Sequence, residues 1–241
     1  MIVEIVGSAG VGKTTIARLL QAQLPHLSYI SDWRRVSSLS DLAFGVAPLV
    51  PLLLPTLWPT RAPRLTRREL TWMGRLCTSR RTLARLAPTF ADERSVLLDQ
   101  GPIYTLMRLA EQRSATAVAS EQVIEWQQQM LERWSYVLDG VIWLDAPDAV
   151  LVERVFARSK AHWLQLRTRE DAQVVLQQHR QLYHRLLEQV AKTGRCRIAH
   201  YDTNVLEPAA LAAQIGRDFF ADWPLVTAGF ENHVARMAEQ S

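Results

Sequence analysis

The chain has 241 residues, of which 48% are hydrophobic and 22% are charged, and its formal net charge is +4. This length suits one α/β domain with helical additions and excludes two large separate cores. The composition is that of a globular protein. The small positive charge fits an enzyme for anionic substrates but does not by itself indicate a nucleic-acid-binding protein.

Two cysteines, Cys77 and Cys196, are far apart in the chain and match no metal-ligand spacing. We expect both to be reduced, partly buried thiols, as in cytosolic proteins. Met1 leads directly into a predicted strand, which leaves no room for a signal or transit peptide. We therefore expect a cytoplasmic protein.

The first motif lies between a predicted strand and a predicted helix. The β-branched run 2–6 predicts a buried strand, and apolar residues at helical spacing predict a helix over 16–24. Between them stands Gly7-Ser8-Ala9-Gly10-Val11-Gly12-Lys13-Thr14-Thr15, which matches the phosphate-loop pattern G-x-x-x-x-G-K-[ST]. A glycine-rich turn that matches by accident is the alternative, and the flanking strand and helix argue against it.

Each residue type in this loop has a chemical reason. The glycines let the backbone curl into a nest of N–H groups that point at phosphate oxygens. The helix that begins near Gly12 adds the positive end of its dipole. Lys13 can reach the β- and γ-phosphates of a nucleotide, and the hydroxyl of Thr14 is placed to ligate Mg²⁺. We therefore predict that residues 7–15 bind ATP together with Mg²⁺.

A second short strand is predicted over residues 27–30, and Asp32 follows it. In open α/β sheets, ligands bind beyond the carboxyl ends of the strands. Asp32 is therefore a candidate to accept or position the proton of an acceptor hydroxyl beside the γ-phosphate. A helix N-cap or a turn residue is the other interpretation of this aspartate.

Residues 42–58 are almost wholly apolar but contain Pro48, Pro51 and Pro55. The stretch is shorter than the ~20 residues that a membrane-spanning helix needs, and the prolines interrupt helical hydrogen bonds, so we exclude a transmembrane helix. Three interpretations remain: a buried irregular segment over the acceptor site, an exposed patch for a protein partner, and peripheral contact with a membrane. We favour the first.

Residues 66–91 show the pattern of one long helix with an apolar side and a basic side. The basic side consists of Arg75, Arg80, Arg81 and Arg85. A solvated surface is the simplest role for these arginines, and contact with a phosphate group is the alternative. The cluster matches no nucleic-acid-binding module, so nucleic acid is not the expected partner.

Residues 95–99 form a second continuous apolar run, and this run ends in Asp99. A strand that ends in aspartate beside a phosphate loop is typical of a Mg²⁺ site, because the carboxylate emerges next to the bound phosphates. Asp99 is therefore predicted to hold the metal together with Thr14. It is also a second candidate, besides Asp32, for orienting the acceptor.

The rest of the chain alternates between helices and strands, which predicts a parallel sheet with right-handed crossovers. Trp126, Met130 and Trp134 predict the buried side of one helix, and Pro147 is expected in the first turn of the next. The predicted elements are helix 120–138, strand 141–145, helix 147–156, helix 170–190, strand 196–201 and helix 208–220. The residues of helix 170–190 predicted to face inward are Val174, Val175, Leu182, Leu186, Leu187 and Val190.

A basic cluster stands at the end of one of these helices. Arg154, Arg158 and Lys160 lie close together, and Arg167 and Arg169 follow. Several cations in so short a segment destabilise a compact fold unless they are solvated or face an anion. In phosphoryl transfer, such groups meet the charge on the migrating phosphoryl group and on the departing diphosphate. An exposed basic loop is the alternative interpretation.

The phosphate loop 7–15, the turn 98–102, residues 143–147 and the pattern Arg154-x-x-x-Arg158-x-Lys160 together resemble a kinase family. The chain is similar, from residue 1 to about residue 220, to the thymidylate-kinase-like and deoxynucleoside-kinase-like P-loop phosphotransferases. The resemblance implies a three-layer α/β fold. A five-stranded parallel sheet of order 2-3-1-4-5 would carry helices on both faces.

The resemblance also implies roles for particular residues. The lid of the family corresponds to residues 159–169, and Asp32 falls near the acid that accepts the acceptor's proton in nucleoside kinases. The implied contacts to phosphates are Arg154, Arg158 and Lys160, and the implied contacts to the adenine base are Asp202 and Thr203.

By the same comparison, the kinase-like domain would cover residues 1–222, with an acceptor-side insertion at about 37–91, and a tail would follow at 223–241. The chain departs from the family on the acceptor side. After the third strand the family carries Asp-Arg-Tyr or Glu-Arg-Ser, whereas this chain has Asp99-Gln100-Gly101. The arginine that recognises the acceptor is thus unassigned. The apolar stretch suits a greasy or aromatic acceptor as well as a nucleotide.

The leading hypothesis is a small-molecule kinase that transfers the γ-phosphoryl group of Mg·ATP to a nucleoside-like, nucleotide-like or other metabolite. The alternative is a nucleotide-dependent regulatory NTPase whose 42–58 segment binds a protein partner or a membrane surface. The chain lacks the Asn-Lys-x-Asp motif of GTPases and the LSGGQ signature of transporter ATPases. A kinase that acts on nucleic-acid ends is the weakest option, and a homodimer stays open.

Overall fold

The structure of the chain is a computed structural model that describes residues 1–31, 49, 65–86, 95–114 and 121–221. Asp32 and the tail 223–241 lie outside the described residues, as does the apolar stretch 42–58 apart from Leu49. Leu49 itself is buried. The predicted domain bounds stay predictions.

One or two α-helices separate consecutive strands along the described residues. The strands are β1 (Ile2–Val6), β2 (Leu27–Ile30), β3 (Ser95–Asp99), β4 (Gly140–Asp145) and β5 (Arg197–Asp202). The α-helices are α1 (Lys13–Gln23), α2 (Arg67–Leu86), α3 (Pro102–Ser114), α4 (Glu121–Ser135), α5 (Asp148–Phe156), α6 (Arg169–Lys192) and α7 (Pro208–Ile215). A 3₁₀ turn (Trp163–Leu166) lies between α5 and α6, and a π-helical turn (Gly216–Ala221) follows α7.

The strands of the described residues form one sheet in the order β2-β3-β1-β4-β5. Every neighbouring pair is parallel. The register places Asp99 beside Ile5 and places Trp143 beside Val6. The carboxyl ends of the three central strands therefore open at one edge, where the phosphate loop leaves β1. The predicted sheet order is confirmed.

Two apolar clusters cover the two faces of the sheet. Ile2 and Val6 belong to the cluster that includes side chains of α2, α3 and α4, whereas Val3 and Ile5 belong to the cluster that includes those of α1, α5 and α7. Alternate residues of a strand point to opposite faces, so β1 is buried on both sides. The predicted three-layer arrangement is confirmed. The predicted buried face of α4, formed by Trp126, Met130 and Trp134, is confirmed as well.

Helix α3 is the element that the sequence patterns do not predict. Its sequence mixes apolar and polar residues, and it follows the turn-like run Gln100-Gly101-Pro102. The predicted helix 208–220 is an α-helix only as far as Ile215, after which the backbone widens into the π-helical turn. Pro147 is the N-cap of α5 rather than a residue of its first turn.

The inward face of α6 agrees with the prediction except at one residue. Leu182, Leu187 and Val190 are buried as predicted, whereas Val174 is 52% exposed. The buried side also includes residues that were not among those predicted, namely Leu176, His179 and Tyr183. Two of these are polar, which is why hydrophobic periodicity does not assign them to the buried face.

Helix α2 is docked on α3 by a buried ion pair. Glu69 is 3% exposed, and its carboxylate lies 3.2 Å from Nε of Arg113. The same carboxylate accepts a hydrogen bond from the backbone N–H of Thr66, whose hydroxyl accepts one from the N–H of Glu69. This reciprocal pair is a capping box that fixes the start of α2. The arginine-rich helix is therefore held beside the site described below.

Both cysteines are free thiols, and Cys196 is buried while Cys77 is partly buried. Burial raises the pKa of each to about 12, so both are neutral thiols at pH 7. The expectation of reduced, partly buried cysteines is confirmed. Within the described ranges, no helix combines the length and the apolar character needed to cross a membrane.

Candidate active site

The phosphate loop has backbone geometry that requires glycine. Gly7 and Gly10 have φ angles of +143° and +88°. A Cβ on Gly7 would lie 2.2 Å from the carbonyl oxygen of Leu144, and a Cβ on Gly10 would lie 2.8 Å from that of Leu151. The loop therefore packs directly on β4 and α5. Helix α1 begins at Lys13, so its first N–H groups point into the loop.

Lys13 lies folded across the loop. Its ammonium group donates hydrogen bonds to the carbonyl oxygens of Gly7, at 2.7 Å, and Ser8, at 3.0 Å. Burial lowers the pKa of Lys13 to about 8, while the charge of Asp99 opposes this shift and that of Arg158 adds to it. Lys13 is therefore mostly cationic at pH 7 but loses its proton more readily than an exposed lysine does.

Asp99 brings the two predicted metal ligands together. Its Oδ2 accepts hydrogen bonds from the hydroxyls of Tyr29, at 3.1 Å, and Thr14, at 3.4 Å. Its Oδ1 is buried and has no hydrogen-bond partner among the described residues. Leaving a buried carboxylate oxygen unpaired is unfavourable. The carboxylate and the Thr14 hydroxyl together form the kind of oxygen donor set that Mg²⁺ prefers.

Glu4 is a buried acid in the middle of β1. Its Oε2 accepts a hydrogen bond from the backbone N–H of Ile103 at 2.8 Å, and its Oε1 accepts one from that of Tyr104 at 2.9 Å. These groups belong to the first turn of α3, so Glu4 caps this helix from the central strand. A Cβ on Gly101 would lie 2.6 Å from Cδ of Glu4, so only glycine leaves room for the carboxylate.

Gln100 connects Asp99 to this capped helix through an unusual backbone. Its φ angle is +61°, the only positive value at a non-glycine residue in the described part of the chain. A left-handed conformation at a residue with a Cβ costs about 1–2 kcal/mol. The side chain lines the pocket at the position where the resembling family carries arginine.

The predicted lid, residues 159–169, folds back onto α5. The side-chain amide of Gln165 donates hydrogen bonds to the carbonyl oxygens of Val155 and Arg158, both at 3.1 Å. His162 and Gln165 also cap the 3₁₀ turn reciprocally. Burial lowers the pKa of His162, and the surrounding cations add to this shift, so the imidazole is neutral at pH 7.

Arg154 reaches the loop after β5. Its guanidinium donates hydrogen bonds to the hydroxyl of Thr203, at 2.9 Å, and to the carbonyl oxygen of the same residue, at 3.1 Å. Asp202 accepts a hydrogen bond from the backbone N–H of Asn204 at 2.7 Å. Arg154 therefore ties α5 to the predicted base-side loop. Its predicted contact with phosphates stays a prediction.

These elements enclose a pocket of about 320 Å³. The residues of the phosphate loop that line it are Gly7, Ala9, Gly10, Gly12, Lys13, Thr14 and Thr15, whereas Ser8 and Val11 are buried. The lid contributes Lys160, Ala161, His162 and Trp163, Arg158 lies directly before it, and the sheet edge contributes Asp99 and Gln100. A larger open groove of about 500 Å³ lies between α4 and the last turns of α6, and it contains none of the predicted site residues.

No family profile and no curated protein matches the sequence. Solved structures do match. Deoxyadenosine kinase from M. mycoides with bound dCTP has a TM-score of 0.54 at 13% identity, with 91% of this chain and 100% of that chain covered. A structure of the same enzyme with the products dCMP and a flexible dCDP has a TM-score of 0.54 at 14% identity, with 92% and 100% covered. The chain has the fold of a P-loop nucleoside kinase.

The YorR protein from Bacillus subtilis, in complex with phosphorylated GDP, is also similar, with 15% identity and 89% and 93% of the two chains covered. Its TM-score of 0.47 is too low to carry an argument. The resemblance stated from the sequence is confirmed at the level of the P-loop nucleoside-kinase fold, through the sheet order and the structural match.

Within this nucleoside-kinase fold, Lys13, Thr14, Asp99, Arg158 and Lys160 line one pocket, as predicted for a shared site. The sequence reasoning overlooked further polar side chains at or beside the pocket. The overlooked residues are Glu4, Tyr29, Arg108, Glu111, His179 and Tyr183.

Some of these residues have a signal in the sequence. Glu4 is an acid inside an otherwise apolar strand, which indicates a buried charge with specific partners. His179 and Tyr183 are four residues apart on one long helix, a spacing that places polar groups on the same side as the core. Arg108 offered no such signal, because its helix was not predicted.

Proposed function

We propose that the chain is a small-molecule kinase that transfers the γ-phosphoryl group of Mg·ATP to a nucleoside-like, nucleotide-like or other metabolite acceptor. The observation that carries this proposal is the convergence on one pocket of the phosphate loop with Lys13, of Asp99, and of two cations at the start of the lid, Arg158 just before it and Lys160 within it. Cations on both sides of a phosphate site stabilise the charge that develops during transfer. The nucleoside-kinase fold supports the same conclusion.

Different residues of the pocket bind the donor and orient the acceptor. The loop amides and Lys13 hold the donor phosphates, and Lys160 of the lid and Arg158 directly before it face them. The acceptor oxygen forms a bond to the γ-phosphorus while the bond to the departing ADP breaks. Asp32 stays the predicted group that orients a hydroxyl acceptor.

Thr14 and Asp99 would hold Mg²⁺, because the unpartnered Oδ1 of Asp99 and the neighbouring hydroxyl fit an oxygen-liganded cation. The metal, when bound, neutralises phosphate charge and stabilises the leaving group. Tyr29 donates its hydrogen bond to Oδ2 and so keeps the carboxylate turned toward the loop. The cytoplasmic location expected from the sequence stays a prediction.

Replacing Lys13 by alanine tests the proposal. We expect phosphoryl transfer from Mg·ATP to a panel of metabolites to fall by about 100-fold or more, because a cation that stabilises the transferring group is lost. Lys192→Ala, at an exposed position in the last turn of α6, is the matched control and leaves transfer unchanged. Near-normal transfer by Lys13→Ala would refute the proposal.

The regulatory alternative predicts a different activator. A kinase hydrolyses ATP slowly alone and consumes it rapidly when a small acceptor is added. A regulatory NTPase is instead stimulated by a protein or by lipid vesicles. Measuring ATP turnover with each addition separates the two functions, and stimulation by vesicles without any response to small metabolites contradicts the kinase assignment.

A further inference from the structure

The pocket extends past the phosphate loop along α3 and α6. Helix α3 contributes Tyr104, Met107 and Arg108, and α6 contributes His179 and Tyr183. Arg108 stands about two turns into α3, and the two α6 residues lie one turn apart on one side of their helix. The proposed binding of the donor uses none of these side chains. They form a second wall of the same pocket.

Glu111 joins the cation of this wall to its histidine. Its Oε2 lies 2.5 Å from Nη1 of Arg108, and its Oε1 lies 2.8 Å from Nε2 of His179. Burial acts to raise the pKa of Glu111, but the hydrogen bond and charge of His179 and the charges of Arg108 and Arg68 outweigh it, so the pKa lies below its ordinary value. Glu111 is therefore ionised at neutral pH and fixes the orientation of Arg108.

One polar atom of this wall, Nε of Arg108, is buried and has no hydrogen-bond partner among the described residues. The hydroxyl of Tyr183, whose side chain is fully buried, instead interacts with the backbone of Gly7 in the phosphate loop. A buried polar group left unpaired costs about 1–3 kcal/mol. Both residues line the pocket. A ligand with acceptor oxygens at this wall would remove the cost.

The charge of the wall favours an anion. The charged side chains that line the pocket are four cations and one carboxylate, so the lining has a net positive charge; they are Lys13, Arg108, Arg158, Lys160 and Asp99. A neutral sugar or base would gain little from this charge. A phosphate monoester presents charged oxygens in the arrangement that a guanidinium binds best.

We propose that the phosphoryl acceptor is itself a phosphate monoester, and that Arg108, held by Glu111 and His179, binds its phosphate. This proposal rests on the proposed kinase function and names its substrate class, a nucleoside monophosphate or another phosphorylated metabolite. Arg108 takes the place of the family arginine that is absent at Gln100.

The chemistry of such a transfer balances without a base. An ionised oxygen of the acceptor phosphate forms a bond to the γ-phosphorus of ATP. The bond between the γ-phosphorus and the β–γ bridging oxygen breaks, and ADP leaves with that electron pair. The acceptor becomes a diphosphate. Holding the acceptor phosphate beside the lid cations positions its oxygen for attack.

The test measures anion binding while the phosphate loop is filled. The protein is saturated with Mg²⁺ and a non-hydrolysable ATP analogue, and is then titrated calorimetrically with inorganic phosphate, with the common nucleoside 5′-monophosphates and with the corresponding free nucleosides. In the wild type we expect inorganic phosphate and at least one monophosphate to bind. We expect the matching nucleoside to bind at least about tenfold more weakly, since it lacks the charged group.

Arg108→Gln should weaken phosphate and monophosphate binding at least about tenfold, because the charged contact is lost. Arg108→Lys keeps the charge and should retain part of the affinity. Arg185→Gln, at an exposed position of α6, is the matched control with unchanged binding. Affinity for the ATP analogue stays the same in all three variants, which shows that the pocket is still folded.

Three results would overturn the proposal: wild-type binding of monophosphate by Arg108→Gln, equal binding of nucleosides and monophosphates, or no binding of phosphate and monophosphates by the wild type. Failure of the kinase function has a different signature, because the ATP analogue itself then does not bind. In that case, phosphate is titrated into Lys13→Ala protein. If the Lys13→Ala protein binds phosphate and the double variant with Arg108→Gln does not, the anion site is still supported. If the double variant binds phosphate equally well, the anion site is refuted.

Discussion

Glu4 should make the stability of the protein depend on pH in a defined window. Burial raises the pKa of this carboxyl from an ordinary value of 4.5 to about 8, although the hydrogen bonds from Tyr104 and Ile103 oppose the shift. Between these two pH values, the unfolded chain releases the proton while the folded chain retains it. The unfolded state is therefore favoured progressively as pH rises from 4.5 to 8.

The size of the effect follows from the shift. Each pH unit well inside the window lowers the free energy of unfolding by about 1.4 kcal/mol, and the whole window amounts to about 5 kcal/mol at most. Below the window, both states hold the proton and the contribution is flat. The total free energy of unfolding of a domain is about 5–15 kcal/mol, so this change is a large fraction of it.

Urea unfolding of the wild type and of Glu4→Gln at pH 5, 6, 7 and 8 measures this contribution. Glutamine has nearly the same shape and cannot ionise. The free energy of unfolding of the variant should therefore rise relative to that of the wild type by about 1.4 kcal/mol per pH unit within the window. Glu125→Gln, at an exposed position of α4, is the control and should follow the wild type. If the free energies of unfolding of the wild type and of Glu4→Gln change with pH in parallel, the reasoning is refuted.

Three further predictions concern the site. The affinity for ADP should fall about fivefold between pH 8 and pH 9, measured by fluorescence of a labelled ADP, because Lys13, with a pKa of about 8, loses the charge that binds phosphate. An ADP affinity that does not change between pH 8 and pH 9 would contradict a pKa of about 8 for Lys13. Tyr29→Phe should raise the Mg²⁺ concentration needed for half-maximal ADP binding by about three- to tenfold, with metal-free ADP affinity unchanged, since the metal carboxylate loses one hydrogen bond. An unchanged Mg²⁺ requirement would remove that role. Gly101→Ala should lower the free energy of unfolding by about 1–3 kcal/mol in urea, because its methyl group would overlap the carboxylate of Glu4. Gly74→Ala, where a methyl group meets nothing within 4 Å, is its matched control and should not destabilise the protein.

The parts of the fold that the sequence predicts correctly depend on local patterns. The central strand, the phosphate loop and the strand that ends in Asp99 are each specified by consecutive residues. The parallel order of the sheet then follows from the resemblance to a known family. Because the register places Asp99 beside Ile5, these local patterns are enough to predict the pocket around Lys13.

Helix α3 depends on a partner 99 residues away in the sequence, and local patterns therefore do not predict it. Its first turn is capped by Glu4 rather than by a neighbouring side chain, as the bond from Ile103 shows. Propensity and local capping signals hold no information about such a contact. The wall that contains Arg108 could not be anticipated for the same reason.

The inward face of α6 shows a second limit of sequence patterns. Hydrophobicity is used as a measure of burial, yet Val174 is exposed while His179 is buried. His179 tolerates burial because Glu111 supplies a charged hydrogen-bond partner from another helix. Buried polar residues that are paired across elements are the positions at which periodicity assigns the wrong side.

The left-handed backbone at Gln100 places two demands on one position. Glycine would adopt this conformation without penalty, so Gln100→Gly should raise the melting temperature while it removes an amide from the mouth of the pocket. A residue with a side chain at this position therefore lowers the thermal stability of the protein. Variants selected only for heat resistance are therefore expected to drift toward glycine here and to discriminate less among acceptors.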